Sequence, residues 1–205
     1  AVIERFIMGM IARRREQGGA QRDILGDLLA ARDEETGAQL SDREICNELK
    51  TFFGAGYETT ALMLMWCLHL LSQNPEQQAL LRDEVDRVLG GRTPTLADLK
   101  AMPYTEQVLN ETMRIYPPAW SMMVRRAKAD LTLGGAAVPA GSVLLIPMWV
   151  IHRNPRLYPE PLRFAPERFA GEWRKRLPQY AFFPFGGGPH VCLGAHLSMF
   201  EGQLI

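Results

Sequence analysis

The stretch FPFGGGPHVCLGAH, residues 183–196, sets three glycines, a proline and a histidine directly ahead of one cysteine. Adjacent glycines lose more backbone freedom on folding than other residues, so a loop that keeps them has to pass close to something a side chain would strike. A buried core cysteine needs no such approach; one that presents its sulfur to a large flat ligand does. A cysteine at the start of a helix also faces the positive end of the helix dipole, which favours thiolate, the form that binds metal. Cys192 is therefore the candidate ligand. Cys46 and Cys67 fall on apolar helix faces and read as core residues. On these residues alone, a zinc site from His190, Cys192 and His196 is the alternative, although its short spacing departs from the usual two-plus-two ligand pattern.

Two further groups carry chemical information. Ala55-Gly56-Tyr57-Glu58-Thr59-Thr60 lies inside a long helical pattern. There Gly56 costs about 1 kcal/mol relative to Ala, and two adjacent threonines add β-branched crowding. Local preference is broken where a carboxylate and two hydroxyls stand together, as happens at functional sites; a glycine for tight helix packing is the other reading. Glu111 and Arg114, three apart, share one helical face just ahead of Pro117-Pro118.

These groups need elements to hold them. Val2 to Arg15 and Asp23 to Ala31 read as helices. Ser41 and Glu44 form a capping box, with Leu40 and Ile45 as its hydrophobic staple, and the spacing predicts a helix to about Gln73. Pro75 opens the next, to Leu89. A short helix is predicted near Thr95, and another from Pro103 to the Pro117-Pro118 stop. Residues 131–147 read as short strands broken at Gly134-Gly135 and Ala140-Gly141. A brief helix around Trp149, a proline-rich meander from Pro155 to Pro166 and a final helix starting near Cys192 complete a mainly α chain with a small β-sheet. With 205 residues, 47% apolar and 22% charged, it can bury a sizeable core. Lys plus Arg and Asp plus Glu both total 23, and the lack of a basic excess argues against nucleic acid. Three cysteines without close pairing fit a reducing compartment, and the longest apolar run, Ala61 to Leu71, is about half the ~20 residues of a spanning helix.

Phe185-x-x-Gly188-x-x-x-Cys192-x-Gly194 resembles the haem-binding signature of the cytochrome P450 family, whose haem is held by a cysteine thiolate. The resemblance implies haem b (iron protoporphyrin IX), with Cys192 as the iron ligand and Phe185, Gly186 and Gly194 around its sulfur. By the same match His190 and Arg125 meet the haem propionates, with Arg126 as the rival to Arg125. Ala55 and Gly56 resemble the small pair of the family's oxygen-binding helix, which implies that Glu58 serves proton delivery and Thr59 hydrogen-bonds the bound oxygen. Glu111, Arg114 and Arg168 of Pro166-Glu167-Arg168-Phe169 match a structural charge network. Phe53, Pro118, Ala119, Trp120, Met122 and Met123, with Val124, are implied as an apolar substrate wall.

The resemblance implies a cytochrome P450 fold, incomplete at both ends, with residues 1–205 as the carboxyl-terminal half of a catalytic domain, inactive by itself. It implies a monooxygenase acting on a small apolar organic substrate, with dioxygen as co-substrate and a ferredoxin or flavin reductase as electron donor. Arg174, Lys175 and Arg176 suit the docking of an acidic donor. A haem-thiolate peroxygenase and a non-catalytic haem-binding or inert fragment are the rivals; the acid–alcohol pair argues against the first. The chain begins without Met inside an amphipathic pattern and stops in mid-helix, so flanking segments are expected. A cytoplasmic location is expected, subject to any anchor in a preceding segment.

Overall fold

The computed structural model describes residues 2–18, 22–121 and 124–205. Two compact units make up the chain, Ala1–Glu58 and Thr59–Ile205. In the first, α1 (Val2–Glu16), α2 (Ile24–Ala30) and the opening of α3 (Asp42–Gln73) bury Ile7, Ile11, Leu25, Ile45 and Cys46 together. Asp23 caps α2 by accepting the Gly26 N–H at 2.8 Å and pairs with Arg14, so Arg14 and the cap hold its carboxyl down at about 2. The capping box ahead of α3 is formed: Ser41 N–H donates to Glu44 Oε2 at 2.8 Å, and Glu44 N–H donates back to Ser41 Oγ at 3.3 Å. Leu40 packs on the cluster that holds Ile45, as the staple requires.

The second unit starts within α3 and holds the larger core. Met63, Cys67, Leu70 and Leu71 of α3 pack with Val108, Leu109, Met113 and Ile115 of α5 (Pro103–Ile115) and with Phe164. Between them α4 (Pro75–Leu89) begins on Pro75, whose missing N–H is no loss in a first turn. The helix predicted near Thr95 is only a 3-10 turn, Leu99–Ala101. Asp98 accepts the Thr95 N–H and Oγ1–H at 2.8 Å each and pairs with Arg92, which holds this stretch as a turn.

After α5 come two antiparallel two-stranded ladders rather than one sheet. β1 (Arg125–Arg126) pairs with β4 (Val143–Leu144), Arg125 opposite Leu144. β2 (Leu131–Leu133) pairs with β3 (Ala136–Val138) across the Gly134-Gly135 turn. The one-turn helices α6 (Met148–Ile151) and α7 (Trp173–Arg176) flank the meander, and α8 (Ala195–Leu204) follows the glycine loop. Among the described residues no helix is long and apolar enough to cross a membrane.

The start of α5 shows how one element is held by another. Pro103 opens the helix, and no side chain of its own caps it. Glu84, reaching from α4 and only 6% exposed, supplies the acceptors. Its carboxylate takes the N–H groups of Tyr104 and Thr105 at 2.8 Å each and the Thr105 hydroxyl at 2.9 Å. Replacing it leaves buried donors unpaired, which costs about 1–3 kcal/mol. Glu84→Ala is therefore expected to lower the stability of the second unit by about 2 kcal/mol or more, and Glu84→Gln, which keeps one acceptor, by less; denaturant unfolding of the two variants checks the order.

Candidate functional site

The glycine loop has internal reasons for its glycines. Gly186 (φ 76°) and Gly188 (φ 71°) are left-handed, a conformation open to glycine and strained for most other residues. Gly187 is extended, but a Cβ there would sit 2.5 Å from Cε1 of Tyr180, whose ring lies against the backbone. The expectation that these glycines exist to let a flat ligand approach is thus only part of their explanation: the loop needs them to fold on itself.

Cys192 is placed by that loop. Its N–H donates to the Phe185 carbonyl at 2.9 Å, the Gly186 N–H donates to the Phe183 carbonyl at 2.9 Å, and the Val191 N–H closes a 3-10 turn, Gly188–His190. The sequence suggested that the cysteine opens the last helix. Instead α8 begins three residues later at Ala195, with Gly194 as its N-cap and Ala195 N–H reaching back to the Cys192 carbonyl at 3.4 Å. Among the described residues, the Leu193 and Gly194 N–H groups donate to no backbone carbonyl, and a Cβ on Gly194 would lie 3.9 Å from the Cys192 sulfur. The α-carbon side of Gly194 therefore lies close to an exposed thiol. Cys46 and Cys67 are buried, and burial pushes the Cys67 thiol up, as suits a core residue. Among the described residues no three His, Cys, Asp or Glu side chains form a metal-holding group, so nothing supports zinc at His190, Cys192 and His196; the first and last of these are exposed.

Phe185 is half-buried and packs on the main core, which anchors the loop. A cleft of about 380 Å³ lies behind it, lined in part by Phe185, Gly186, Trp173, Arg174, His196 and Phe200. Arg125 and Arg126 are neighbours on β1, so their side chains leave opposite faces. Arg126 Nη1 donates to the Gly141 carbonyl at 3.0 Å. Trp120 is exposed, and its carbonyl accepts the Trp149 N–H at 3.0 Å; Pro118 is half-buried and Ala119 exposed. Met122 and Met123 lie outside the described residues.

On α3, Phe53, Ala55, Gly56 and Glu58 belong to the first unit and Thr59 to the second, all exposed. A Cβ built on Gly56 meets no described atom within 4 Å, so tight helix packing does not explain this glycine among the described residues. Thr60, one residue on, is buried and bonds across to Ser198 of α8 at 3.2 Å.

Glu111 and Arg114 are both fully buried and form a bidentate pair at 2.6 and 2.8 Å. Arg114 also donates to the carbonyls of His152 (2.9 Å), Pro161 (2.8 Å) and Arg163 (3.3 Å), so each of its five N–H bonds has an acceptor. Burial pushes the Glu111 carboxyl up, against Arg114 and the Ala165 N–H, which donates to it at 2.9 Å. Arg168 completes the expected trio less tightly: its Nε lies 3.4 Å from Glu111 without hydrogen-bond geometry, while Nη2 donates to the Glu160 carbonyl. The three basic residues expected to form one patch are all exposed; Arg176 donates to the Arg168 and Ala170 carbonyls, Lys175 pairs with Glu172, and Arg174 lies over the Trp173 ring.

A family model described as cytochrome P450 matches residues 1–205. The chain belongs to the cytochrome P450 family. It is 42% identical over its whole length to cyclooctat-9-en-7-ol 5-monooxygenase of Streptomyces melanosporofaciens, covering 44% of that protein. It is 34% identical over 97% of its length to pentalenene oxygenase of Streptomyces avermitilis, again covering 44%. The crystal structure of the cytochrome P450DA heme domain superposes with a TM-score of 0.92 at 32% identity, covering 98% of this chain and 45% of that one. The mainly helical P450 architecture expected from the motifs is therefore present, and the chain spans less than half the length of these relatives.

The P450 network has one member that sequence reasoning missed. His152 is fully buried between α6 and the glycine loop, and its Nε2 accepts the Phe183 N–H at 3.1 Å. Its ring also contacts those of Phe182 and Phe183. Because Nε2 accepts, the proton sits on Nδ1, and the ring stays neutral. Burial, with Arg114 and Arg153 nearby, lowers its pKa from the ordinary 6.5 to about 4. A His depressed on folding contributes stability that is fully present above pH 6.5 and is lost as pH falls towards 4, because the unfolded chain takes up the proton first. The loss expected over that window is about 3 kcal/mol, at 1.36 kcal/mol per unit. Unfolding measured between pH 4 and 7 should carry this slope in the wild type and lack it in His152→Gln, which keeps an acceptor but does not titrate.

Proposed function

We propose that the protein containing these residues is a haem-thiolate monooxygenase, and that Cys192 holds the haem iron. The observation that carries this is the exposed thiol of Cys192 on a loop braced through the Phe185 carbonyl and followed by the Leu193 and Gly194 amides, which donate to no backbone carbonyl among the described residues. Such amides stabilise a thiolate and tune its electron donation. Family membership supplies the class of cofactor, and the donor set fits it: one accessible soft sulfur, with no competing histidine or carboxylate group among the described residues. Haem b, once bound, supplies the activation of dioxygen; the chain binds, orients and manages protons.

Arg125 and His190 are proposed for the propionates. Phe185, Gly186 and Gly194 shape the sulfur side of the loop, and Ala55 and Gly56 leave room on α3. Glu58 relays protons from solvent, and the Thr59 hydroxyl holds one at the oxygen side. Phe53, Pro118, Ala119 and Trp120, with Met122 and Met123, are proposed as the apolar substrate wall. The substrate is proposed to be a small apolar organic molecule. The names of the two Streptomyces relatives make cyclic hydrocarbons and their alcohols the first class to test.

Electrons are proposed to come from a ferredoxin or flavin reductase, with the exposed Arg174 beside the cleft as the charge available to an acidic donor. Free thiols at Cys46, Cys67 and Cys192 support a cytoplasmic site of action. The activity is proposed for the longer protein, since residues 1–205 alone span less than half of the relatives.

The reduced, carbon monoxide-treated protein tests ligation. Cys192→Ser is expected to abolish the red-shifted ferrous–carbonyl band, and Cys46→Ser and Cys67→Ser to leave it intact; an unchanged spectrum from Cys192→Ser removes the proposal. Thr59→Val tests proton handling, because it keeps shape and branching but deletes the hydroxyl. Haem content and substrate affinity are expected to survive, while NADPH consumption continues with hydrogen peroxide in place of hydroxylated product. A fully coupled Thr59→Val would remove Thr59 from the proton path.

A further inference from the structure

α3 and α8 share a short seam of two contacts that no sequence motif announces. Its polar point is Thr60 Oγ1 donating to Ser198 Oγ at 3.2 Å, across 138 residues of chain. One turn further along each helix is its steric point. A Cβ on Gly202 would lie 2.6 Å from Met63 Cε and 3.0 Å from Leu109 Cδ1. Met63 and Leu109 are 1% and 2% exposed, so an added methyl would have to displace side-chain ends inside the core. Thr60 and Met63 are three apart, and Ser198 and Gly202 four apart, so each pair shares a helical face and the two contacts form one line.

The position of this seam matters. Thr60 directly follows Thr59 on α3. Ser198 lies in the first turn of α8, its N–H donating to the Gly194 carbonyl at 2.9 Å, while Ala195 N–H reaches the Cys192 carbonyl. A threonine inside a helix ordinarily returns its hydroxyl to a carbonyl of the preceding turn; Thr60 spends its hydroxyl on another helix. An apolar pair of the same shape would fill the space equally well. A hydroxyl pair adds direction, which fixes the rotation of α3 at Thr59 and the register of α8 behind Cys192.

We propose that Thr60, Ser198 and Gly202 are positioning residues for oxygen chemistry, holding the Thr59 turn in register with the Cys192 loop. This rests on the monooxygenase reading above. In the coupled reaction two electrons and two protons send one oxygen atom of dioxygen to water and the other into the substrate. When the Thr59 turn is out of register, the same two electrons, delivered from NADPH by the redox partner, and two protons reduce dioxygen to hydrogen peroxide, and the substrate is left unchanged.

The test uses the longer protein that contains these residues, haem-loaded, with NADPH, a redox partner and substrate, and reads peroxide formed per NADPH. Thr60→Val and Ser198→Ala are each expected to raise that share by about two- to tenfold, the range one hydrogen bond spans, while leaving the ferrous–carbonyl band in place. Thr60→Ser restores the hydroxyl and is expected to match wild type. Thr60→Val with Ser198→Ala is expected to be no worse than either alone, since both remove the same bond. Gly202→Ala opens the seam from its steric end and is expected to raise the share as well; should it fail to fold, Ser198→Ala still decides. Amide hydrogen exchange along α8, measured without haem, is expected to quicken in Thr60→Val and Ser198→Ala, independently of turnover. Faster exchange or lower stability with a wild-type peroxide share would overturn the proposal and leave a purely structural seam, as would Thr60→Ser behaving like Thr60→Val. A wild-type protein without the thiolate band would instead overturn the monooxygenase reading beneath it.

Discussion

A fully buried ion pair, Glu111 with Arg114, is the interaction on which the second unit depends. Desolvating two charges costs several kcal/mol per ion, and only complete hydrogen bonding offsets it. Here completeness is reached by drawing in backbone: the carbonyls of His152, Pro161 and Arg163 and the N–H of Ala165 all terminate on the pair. A segment with little secondary structure of its own is thereby nailed to the face of α5. Removing Arg114 would leave the Glu111 charge buried and three carbonyls orphaned, and removing Glu111 would leave the Arg114 charge buried and the Ala165 N–H orphaned, so the pair and the meander stand or fall together.

From that anchor the chain reaches the cysteine by aromatic packing. Phe169, Trp173 and Phe182 form a cluster with ring centroids 4.7 to 5.4 Å apart. Tyr158 donates its hydroxyl to the Ala181 carbonyl at 3.0 Å. His152 joins the two systems, its carbonyl on Arg114 and its ring nitrogen on the Phe183 N–H. The thiol of Cys192 is exposed on a loop held from behind: its own N–H bonds the Phe185 carbonyl, Phe185 packs on the core, and the Tyr180 ring lies against Gly187. Rigidity is placed behind the reactive atom, as preorganised sites require.

What could be read in the sequence was local. The Ser41–Glu44 capping box, the Pro75 and Pro103 helix starts and the Gly134-Gly135 hairpin each involve partners within a few residues, so residue types and spacing suffice to specify them. The cysteine loop and the Glu111–Arg114 spacing were legible for the same reason. The family's motifs compress a tertiary arrangement into short strings.

The tertiary structure decided what depends on distant partners. Glu84 looks like any helix carboxylate until α5 presents its bare N-terminus, 20 residues along the chain. His152 looks like a loop histidine until Phe183 arrives, 31 residues away. Arg176 belonged to a charge run until carbonyls claimed it, and Thr60 was the lesser of two threonines until Ser198 met it. Spacing along the chain records which groups share a helix face or a turn, because the backbone repeat is fixed over a few residues. It holds no record of which group farther along the chain will stand within hydrogen-bond reach once the chain has folded, and that proximity assigned these four side chains their roles.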